Sequence, residues 1–500
     1  MDANNILEMI KHIVEGHEND DAVIFKGKRI SYSELDERSD KLAQTIIAKG
    51  VKPGSIVALG LYNDIDLIPA LLAIWKANCV YLPVDPGYPP KRIEMLLKIA
   101  QPDLLITKKE IQSKFSLFKS NTYVIDEEEN VQNIKLRNPQ LSDLAYIMFT
   151  SGSTGIPKGI VVDHLALQHS ALAYNELHPE KFKALVAGSI SFDPSLLTLV
   201  STLAKGGTLC LYDNRDGIDI SRPQQIVDLI NSSSVSFILS TPSFYSKLIE
   251  QNKILPSLKN VDLCGEDIPR NLIDTHAKIS PNATLYNVYG PTEYAMGVSA
   301  GILYDPKEEK ISQVTIGKPF ACNKIYILDR YLNRAKPGKK GEIYIGGPGL
   351  AKEYFKQKKL TKERFLIINH LESYPIRVFR TGDRGYFLPT GEIVFVGRTD
   401  LQVKINGHRV ELEEVEKFIG KCPQIEKVVA LVVQEENQNR IVAFFSGKEA
   451  ISPNQVRDFL SHELPPYMIP TTIIQISDWP LTSNGKIDKK NLMNFLPTRA

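Results

Sequence analysis

LAYIMFTSGSTGIPKG, residues 144–159, sets an apolar run directly against a loop of glycines and hydroxyls. Leu144 to Phe149 has the β-branched and aromatic content of a buried strand. Behind it come Thr150, Ser151, Gly152, Ser153, Thr154, Gly155, Lys158 and Gly159. Glycines let backbone N–H groups turn toward an anion, hydroxyls donate hydrogen bonds, and the lysine adds charge. The GxxxxGK[ST] spacing of a Walker loop is absent. A flexible Ser/Gly linker is the plainer alternative, but linkers seldom follow a buried strand or carry Pro-Lys-Gly.

Upstream, helix-like and strand-like segments alternate. Ser33 is placed to cap a helix with Glu34 and Asp36 in its first turn; Leu35, Leu42, Ala43, Ile46 and Ile47 follow at helical spacing, and Gly50 ends it. Ile56 to Leu61 reads as a strand, Asp66 to Lys76 as a helix and Cys79 to Val84 as a strand; further downstream, Val235 to Leu239 is another apolar run. This rhythm predicts α/β layers on a largely parallel sheet. From about residue 311 short strands with glycine turns (KIYILD, GEIYIGG, GEIVFVGR) predict a β-rich subdomain. After Arg398 the pattern changes again: a helix at Glu411 to Ile419, strands at Ile425 to Val433 and Arg440 to Ser446, a helix opened by Ser452-Pro453, and a strand at Thr471 to Ile476. The expected division is a large domain over 1–399 and a small α+β domain over 400–500.

Five hundred residues suit roughly two or three cores. Apolar residues at 43% and charged residues at 24% exclude a disordered chain, a collagen-like fibre and a coiled-coil rod. Sixty basic against 58 acidic residues leave +2, so no global field favours nucleic acid or membrane. The five scattered cysteines form no CxxC pair, which speaks against a disulfide framework or structural zinc and for a reducing cytoplasm. The N-terminus shows no signal-peptide pattern, and the run Leu67 to Trp75 is about half of the ~20 residues a membrane helix needs. A soluble, cytoplasmic protein is expected.

The loop resembles the signature loop of the adenylate-forming superfamily, which includes acyl-CoA synthetases, luciferases and peptide-synthetase adenylation domains. The resemblance runs through nearly the whole chain, in order: ISYSEL (30–35), YLPVDPGYP (81–89), FDPS (192–195), YGPTE (289–293), GEIYIGGPGLAKEY (341–354), FRTGD (379–383), GRTDLQVKINGHRVELEEVE (397–416), LPPYMIP (464–470) and NGKID (484–488). Each resembles a motif of amino-acid adenylation domains; one match would be weak, and nine in the right order make coincidence remote.

The resemblance implies that the chain joins a carboxylate to the α-phosphate of ATP and expels pyrophosphate, a reaction crowded with negative charge. The loop 150–159 would hold the β- and γ-phosphates. Thr292 would contact the α-phosphate, and Glu293 would help hold Mg²⁺, a hard cation suited to oxygen ligands. Tyr289, with Gly265 and Glu266, would build the adenine slot, Tyr289 stacking on the base, and Gly290, Asn287 and Phe395 would belong to the ATP site. Asp383 would accept the ribose hydroxyls, and Arg398 would add a ribose or phosphate contact. Lys486 would bridge carboxylate, ribose and phosphate, and Asp400 would be the hinge about which the small domain turns for the second half-reaction. Lys404 either lines a thiol tunnel or is a solvated strand lysine.

By the same resemblance Asp193 would pair with a substrate's α-ammonium, since a buried carboxylate prefers a cationic partner. Pro194, Leu197, Ser240, Asp262, Cys264, Val288, Met296 and Gly297 would line the side-chain pocket. Most are apolar and of middling size, which suggests proline or another small amino acid. Asp262 departs from that lining: it either points away or reads a polar or cationic group. STPSF (240–244) and CGE (264–266) are similar to D-alanine–carrier-protein ligases, while YLPVDPGYP is similar to peptide-synthetase domains. The expected acceptor is the phosphopantetheine thiol of a carrier protein, loaded in trans or lying beyond Ala500. The competing expectations are an acyl-CoA synthetase using a plain carboxylic acid and a non-catalytic module that keeps the fold for carrier docking.

Overall fold

A computed structural model describes residues 5–496 except 117, 119–120, 127–133, 153–154, 216–221, 309–312, 401, 436–437, 448–450, 483 and 485. Ser153 and Thr154 of the glycine-rich loop therefore lie outside the described residues. The chain forms two compact units. The first comprises Met1–Gly87, Leu96–Phe149 and Gly159–Asp400; the second comprises Tyr88–Met95, Thr150–Lys158 and Leu401–Ala500.

The first unit is α/β. A nine-stranded sheet runs in the order Lys318–Pro319, Ser299–Tyr304, Thr284–Tyr289, Asn260–Cys264, Phe237–Ser240, Lys183–Val186, Thr208–Leu211, Asp21–Phe25 and Lys28–Ser31. From Thr284–Tyr289 to Asp21–Phe25 every neighbouring pair is parallel, and the pairs at both edges are antiparallel. A seven-stranded sheet orders Glu353–Tyr354, Lys158–Asp163, Leu144–Thr150, Val80–Pro83, Ile56–Gly60, Leu104–Thr107 and Thr122–Val124. A five-stranded antiparallel sheet supplies the β-rich part: Lys324–Leu328, Gly341–Gly346, Ile376–Phe387 and Phe365–Ile368, with Ile393–Arg398 paired to Ile376–Phe387.

Burial follows the sequence pattern. The helix Leu67–Lys76 is buried from Leu67 through Trp75, which explains its unbroken apolar run, and Trp75 Nε1 donates to the Ala145 carbonyl at 2.8 Å. The helix expected to follow Ser33 starts earlier, at Tyr32. Ser31 is its cap, because Ser31 accepts from the Glu34 N–H while the Glu34 carboxylate accepts from the Ser31 N–H, a reciprocal box that Ser33 cannot form with Asp36.

In the second unit the hairpin Gln402–Ile405/His408–Glu411 precedes the helix Leu412–Ile419. A three-stranded sheet follows (Ile425–Glu435, Gln438–Gly447, Thr472–Gln475), with the helix Pro453–Ser461 capped by Ser452. Val410, Val415, Phe418, Ala443, Phe445, Val456 and Met468 centre its core. No helix among the described residues is long and apolar enough to cross a membrane.

Candidate functional site

Three residues assigned to the nucleotide meet in the first unit. Asp383 and Arg398 face each other across the antiparallel pair Ile376–Phe387/Ile393–Arg398. Arg398 Nη1 donates to Asp383 Oδ1, and Tyr289 Oη donates to Asp383 Oδ2 at 2.5 Å. The Arg398 fork also takes Asp400: Nε reaches Oδ1 at 2.8 Å and Nη2 reaches Oδ2 at 3.0 Å. Gly382 makes this possible. Its φ is +80°, and a Cβ there would sit 2.9 Å from Asp400 Oδ2 and 3.0 Å from Arg398 Nη2. Burial, reinforced by Asp383, pushes the Tyr289 hydroxyl well above its usual range, so it stays a donor.

YGPTE lies at the end of the strand Thr284–Tyr289 and turns through the short 3₁₀ segment Thr292–Tyr294. Thr292 is half-buried and Glu293 fully buried; the Tyr354 hydroxyl donates to Glu293 Oε1 at 2.6 Å. Ala295 and Met296 then both adopt positive φ, 34° and 86°, a strained pair that the sequence did not announce. Gly290 and Gly297 close the turn: a Cβ on Gly290 would lie 2.9 Å from the Gly297 Cα. Asn287 donates to the Thr315 carbonyl at 2.8 Å. Glu266, beside the positive-φ Gly265, accepts from the N–H and the hydroxyl of Ser243 at 2.9 and 3.0 Å and so caps the helix Pro242–Ile249. Phe395 pairs with Gly385 in the β-rich sheet.

The pocket residues sort by strand register. Leu239, Asp262 and Tyr286 lie side by side on parallel strands, and Cys264 and Val288 form the next row on the same face. Ser240 is in register with Leu263 and therefore faces the other side of the sheet. The structure does not bring it together with the other assigned residues; Leu239 takes that place, and the period of two was the available signal. Half-buried Asp193 opens the helix Asp193–Leu203, with Pro194 in its first turn and Leu197 one turn on. A Cβ on Gly297 would lie 3.7 Å from Leu197 and 3.2 Å from Phe320. Phe320 meets Tyr174 edge-on at 6.2 Å, and Tyr174 donates its hydroxyl to Asp262. A run of contacts thus leads from the helix of Asp193 to Asp262. No motif singled out Phe320, Tyr174 or His178, which carry this run of contacts.

Asp262 is fully buried. Its Oδ2 takes Tyr174 and His178 Nε2, the latter at 2.9 Å, while Oδ1 is sealed from solvent with no partner among the described residues. Burial and Asp262 together push the Tyr174 hydroxyl well up, which keeps it a donor.

Residues Thr150–Lys158 of the glycine-rich loop belong to the second unit, and three of their donors are engaged there. Lys158 Nζ reaches Glu411 Oε1 at 2.9 Å, the Gly152 N–H reaches Glu414 Oε2 at 3.0 Å, and Ser151 Oγ donates to the Arg409 carbonyl at 2.6 Å. Arg92 Nη1 takes the other oxygen of Glu414 at 2.7 Å. Gly152 is obligatory, since a Cβ there would meet the Ile156 carbonyl oxygen at 2.0 Å. Burial alone would raise the Glu411 carboxyl, but Lys158 and Arg409 outweigh it and hold the group below its usual range. Lys486 is exposed at a bend where the Thr482 N–H donates to its carbonyl at 2.7 Å. Lys404 is half-buried on the strand Gln402–Ile405.

Comparison with known proteins gives this geometry its context. Residues 10–355 match the AMP-binding enzyme family, and residues 414–486 match the AMP-binding enzyme C-terminal domain. Tyrocidine synthase 3 of Brevibacillus parabrevis is 33% identical over 482 residues, which cover 94% of this chain and 7% of that protein. Gramicidin S synthase 1 of Brevibacillus brevis is 34% identical over 495 residues, covering 97% of this chain and 44% of that protein. The chain thus spans well under two thirds of either relative. Among solved structures, an NRPS protein containing adenylation and PCP domains, bound to a vinylsulfonamide inhibitor, has a TM-score of 0.87 at 24% identity, covering 99% of this chain and 85% of the other. An o-succinylbenzoate CoA synthetase double mutant from Bacillus subtilis has a TM-score of 0.85 at 20% identity, covering 97% and 98%. With more than half of its length matched by one family model, the chain belongs to the AMP-binding enzymes.

Proposed function

We propose that this chain activates an amino acid as its aminoacyl adenylate and passes the acyl group to the phosphopantetheine thiol of a carrier protein. A substrate carboxylate oxygen attacks the α-phosphorus of ATP, and the bond to the bridging oxygen of pyrophosphate breaks. The thiol then attacks the acyl carbon, AMP leaves, and the thiol proton passes to solvent. Tyr289, Asp383 and Arg398 would seat the nucleoside, and Thr292 and Lys486 would meet the charge that builds on phosphate and carboxylate. A magnesium ion brought in with ATP would neutralise phosphate charge. Glu293 suits it as a single buried carboxylate, because Mg²⁺ needs only one or two carboxylates beside phosphate oxygens.

The observation that carries the amino-acid reading is Asp193. This half-buried carboxylate heads a helix whose next turn, at Leu197, begins the apolar wall. Such a group favours a cation, and an α-ammonium group placed there would leave the side chain facing Leu197, Leu239, Cys264, Val288 and Met296. Those residues suit proline or another small amino acid. Asp262, closed off and engaged by Tyr174 and His178, backs the pocket and is not its charge reader. Similarity to peptide synthases along most of the chain supports the same reading.

The test is ATP–pyrophosphate exchange across the common amino acids, with both enantiomers of alanine and proline. A small amino acid should drive exchange, and Asp193→Ala should lower it by at least about a hundredfold, in line with losing a buried charge pair. Exchange supported only by fatty or aryl acids, with consumption of coenzyme A, would replace this reading by that of an acyl-CoA synthetase.

A further inference from the structure

We infer that Glu411 and Glu414 are built-in stand-ins for nucleotide phosphates, so that ATP must displace two of the protein's own carboxylates to occupy the glycine-rich loop. The inference rests on the proposed reading of that loop as a phosphate site. A phosphate-binding loop works through backbone N–H groups, hydroxyls and a lysine that converge on anionic oxygens. Here the Gly152 N–H meets a carboxylate oxygen of Glu414 at 3.0 Å, and the Lys158 ammonium meets one of Glu411 at 2.9 Å. Each is an anion in the place a phosphate oxygen would take. All four groups are buried: Lys158, Glu411 and Glu414 by their side chains, and Gly152 by its N–H contact. The Gly152 N–H has a single proton to give, so no phosphate can take it while Glu414 holds it, and the charge of Lys158 is already matched by Glu411.

The surrounding groups fit an exchange of anions better than a permanent tie. Glu411 also takes Gln402 Nε2 at 3.1 Å and lies 3.7 Å from Arg409. Glu414 takes Arg92 at 2.7 Å. If Lys158 and Gly152 turned to phosphate, both carboxylates would keep a partner, so release strands no bare charge. The Thr150 hydroxyl, at the root of the loop, is buried with no partner among the described residues, a donor the two glutamates leave unused. Glu411 and Glu414 stand three residues apart, across the start of the helix Leu412–Ile419, which presents them to the loop together.

The experiment measures KM for MgATP and for the amino acid in the exchange reaction, for the wild type and for Glu411→Gln, and for Glu414→Gln combined with Arg92→Met. The paired change removes the arginine that Glu414→Gln alone would strand. Removing one competing carboxylate should lower KM for MgATP about tenfold, the worth of one charge-assisted hydrogen bond. KM for the amino acid should stay within twofold. A merely structural role would lower the melting temperature without tightening MgATP. An unchanged or raised KM for MgATP in a cooperatively melting variant overturns the inference. Wild-type hydrogen exchange gives an answer free of folding defects: MgATP should speed exchange in the peptide spanning 408–414, and slowed or unaltered exchange there in ATP-bound protein also overturns it. Wild type that neither binds MgATP nor catalyses exchange sinks the loop's reading as a phosphate site instead.

Discussion

Two charged clusters invite comparison, the Asp383–Arg398–Asp400 cluster of the first unit and the loop cluster of the second. Asp383 and Arg398 are direct cross-strand neighbours, and Asp400 follows two residues later. The chain between them is a single hairpin, so the pairing forms whenever the sheet forms. The loop cluster draws its members from far apart: Arg92 and Glu414 are 322 positions apart, Gly152 and Glu414 262, and Lys158 and Glu411 253. It has no short-range scaffold. A polar group satisfied by its strand partner is part of the framework. One satisfied only by a distant segment depends on how that segment is docked, and so can be exchanged.

The sharpest way to break this contrast is Arg92→Ala. Arg92 is 4% exposed and Glu414 0%, so the change leaves a sealed carboxylate without its cation. It should destabilise the second unit by about 3–5 kcal/mol, read as an earlier urea transition for probes in residues 401–496 while first-unit probes hold their midpoint. Coincident shifts of both units would show that the two clusters are not independent.

Acid should separate the units next. His164 and His276 of the first unit are fully buried, and burial pushes each down to about 4. An imidazole with a lowered folded pKa stabilises the fold while neutral, above its unfolded value near 6.5, and that stabilisation is lost as the pH falls toward 4. Each is worth up to about 3 kcal/mol at about 1.36 kcal/mol per pH unit. His408 of the second unit, also pushed down to about 4, is only half-buried against Tyr467 and counts for less. Glu411, held below its usual range, keeps its contribution until the pH drops past about 4.5. Melting from pH 7 to 4 should therefore lower the first unit's transition before the second's; equal slopes would contradict these assignments.

The smallest effect belongs to Tyr289→Phe. It removes one hydrogen bond to Asp383, whose other oxygen keeps Arg398. A loss of about 1–2 kcal/mol in stability and a severalfold rise in KM for MgATP are expected, from paired melting and exchange measurements.

Much of this was legible in the sequence, for local reasons. The strand at 144–150, the buried helix at 67–76 and the cap at Ser452 follow from short-range pattern, and the structure has all three. Ser31 displaced Ser33 as a cap because the reciprocal bond to Glu34 needs the serine a full turn ahead of the glutamate. Ser240 failed to join the pocket for a similar reason of phase: a shift of one residue in a strand reverses the face. What no local pattern carries is the assignment of Tyr88–Met95 and Thr150–Lys158 to the second unit, nor the partners Glu411 and Glu414 find there. In the sequence those glutamates stand out only as part of the expected helix Glu411 to Ile419. Their role depends on a loop more than 250 positions away.

The abutting Gly290 and Gly297 have a practical consequence. Where they meet, main chain abuts main chain, and even a methyl group at 290 would strike it. On the proposed reading, a search for another building block has Leu197, Leu239, Cys264 and Val288 to vary. Position 290 is the fixed boundary, because any side chain there would drive into the main chain of 297.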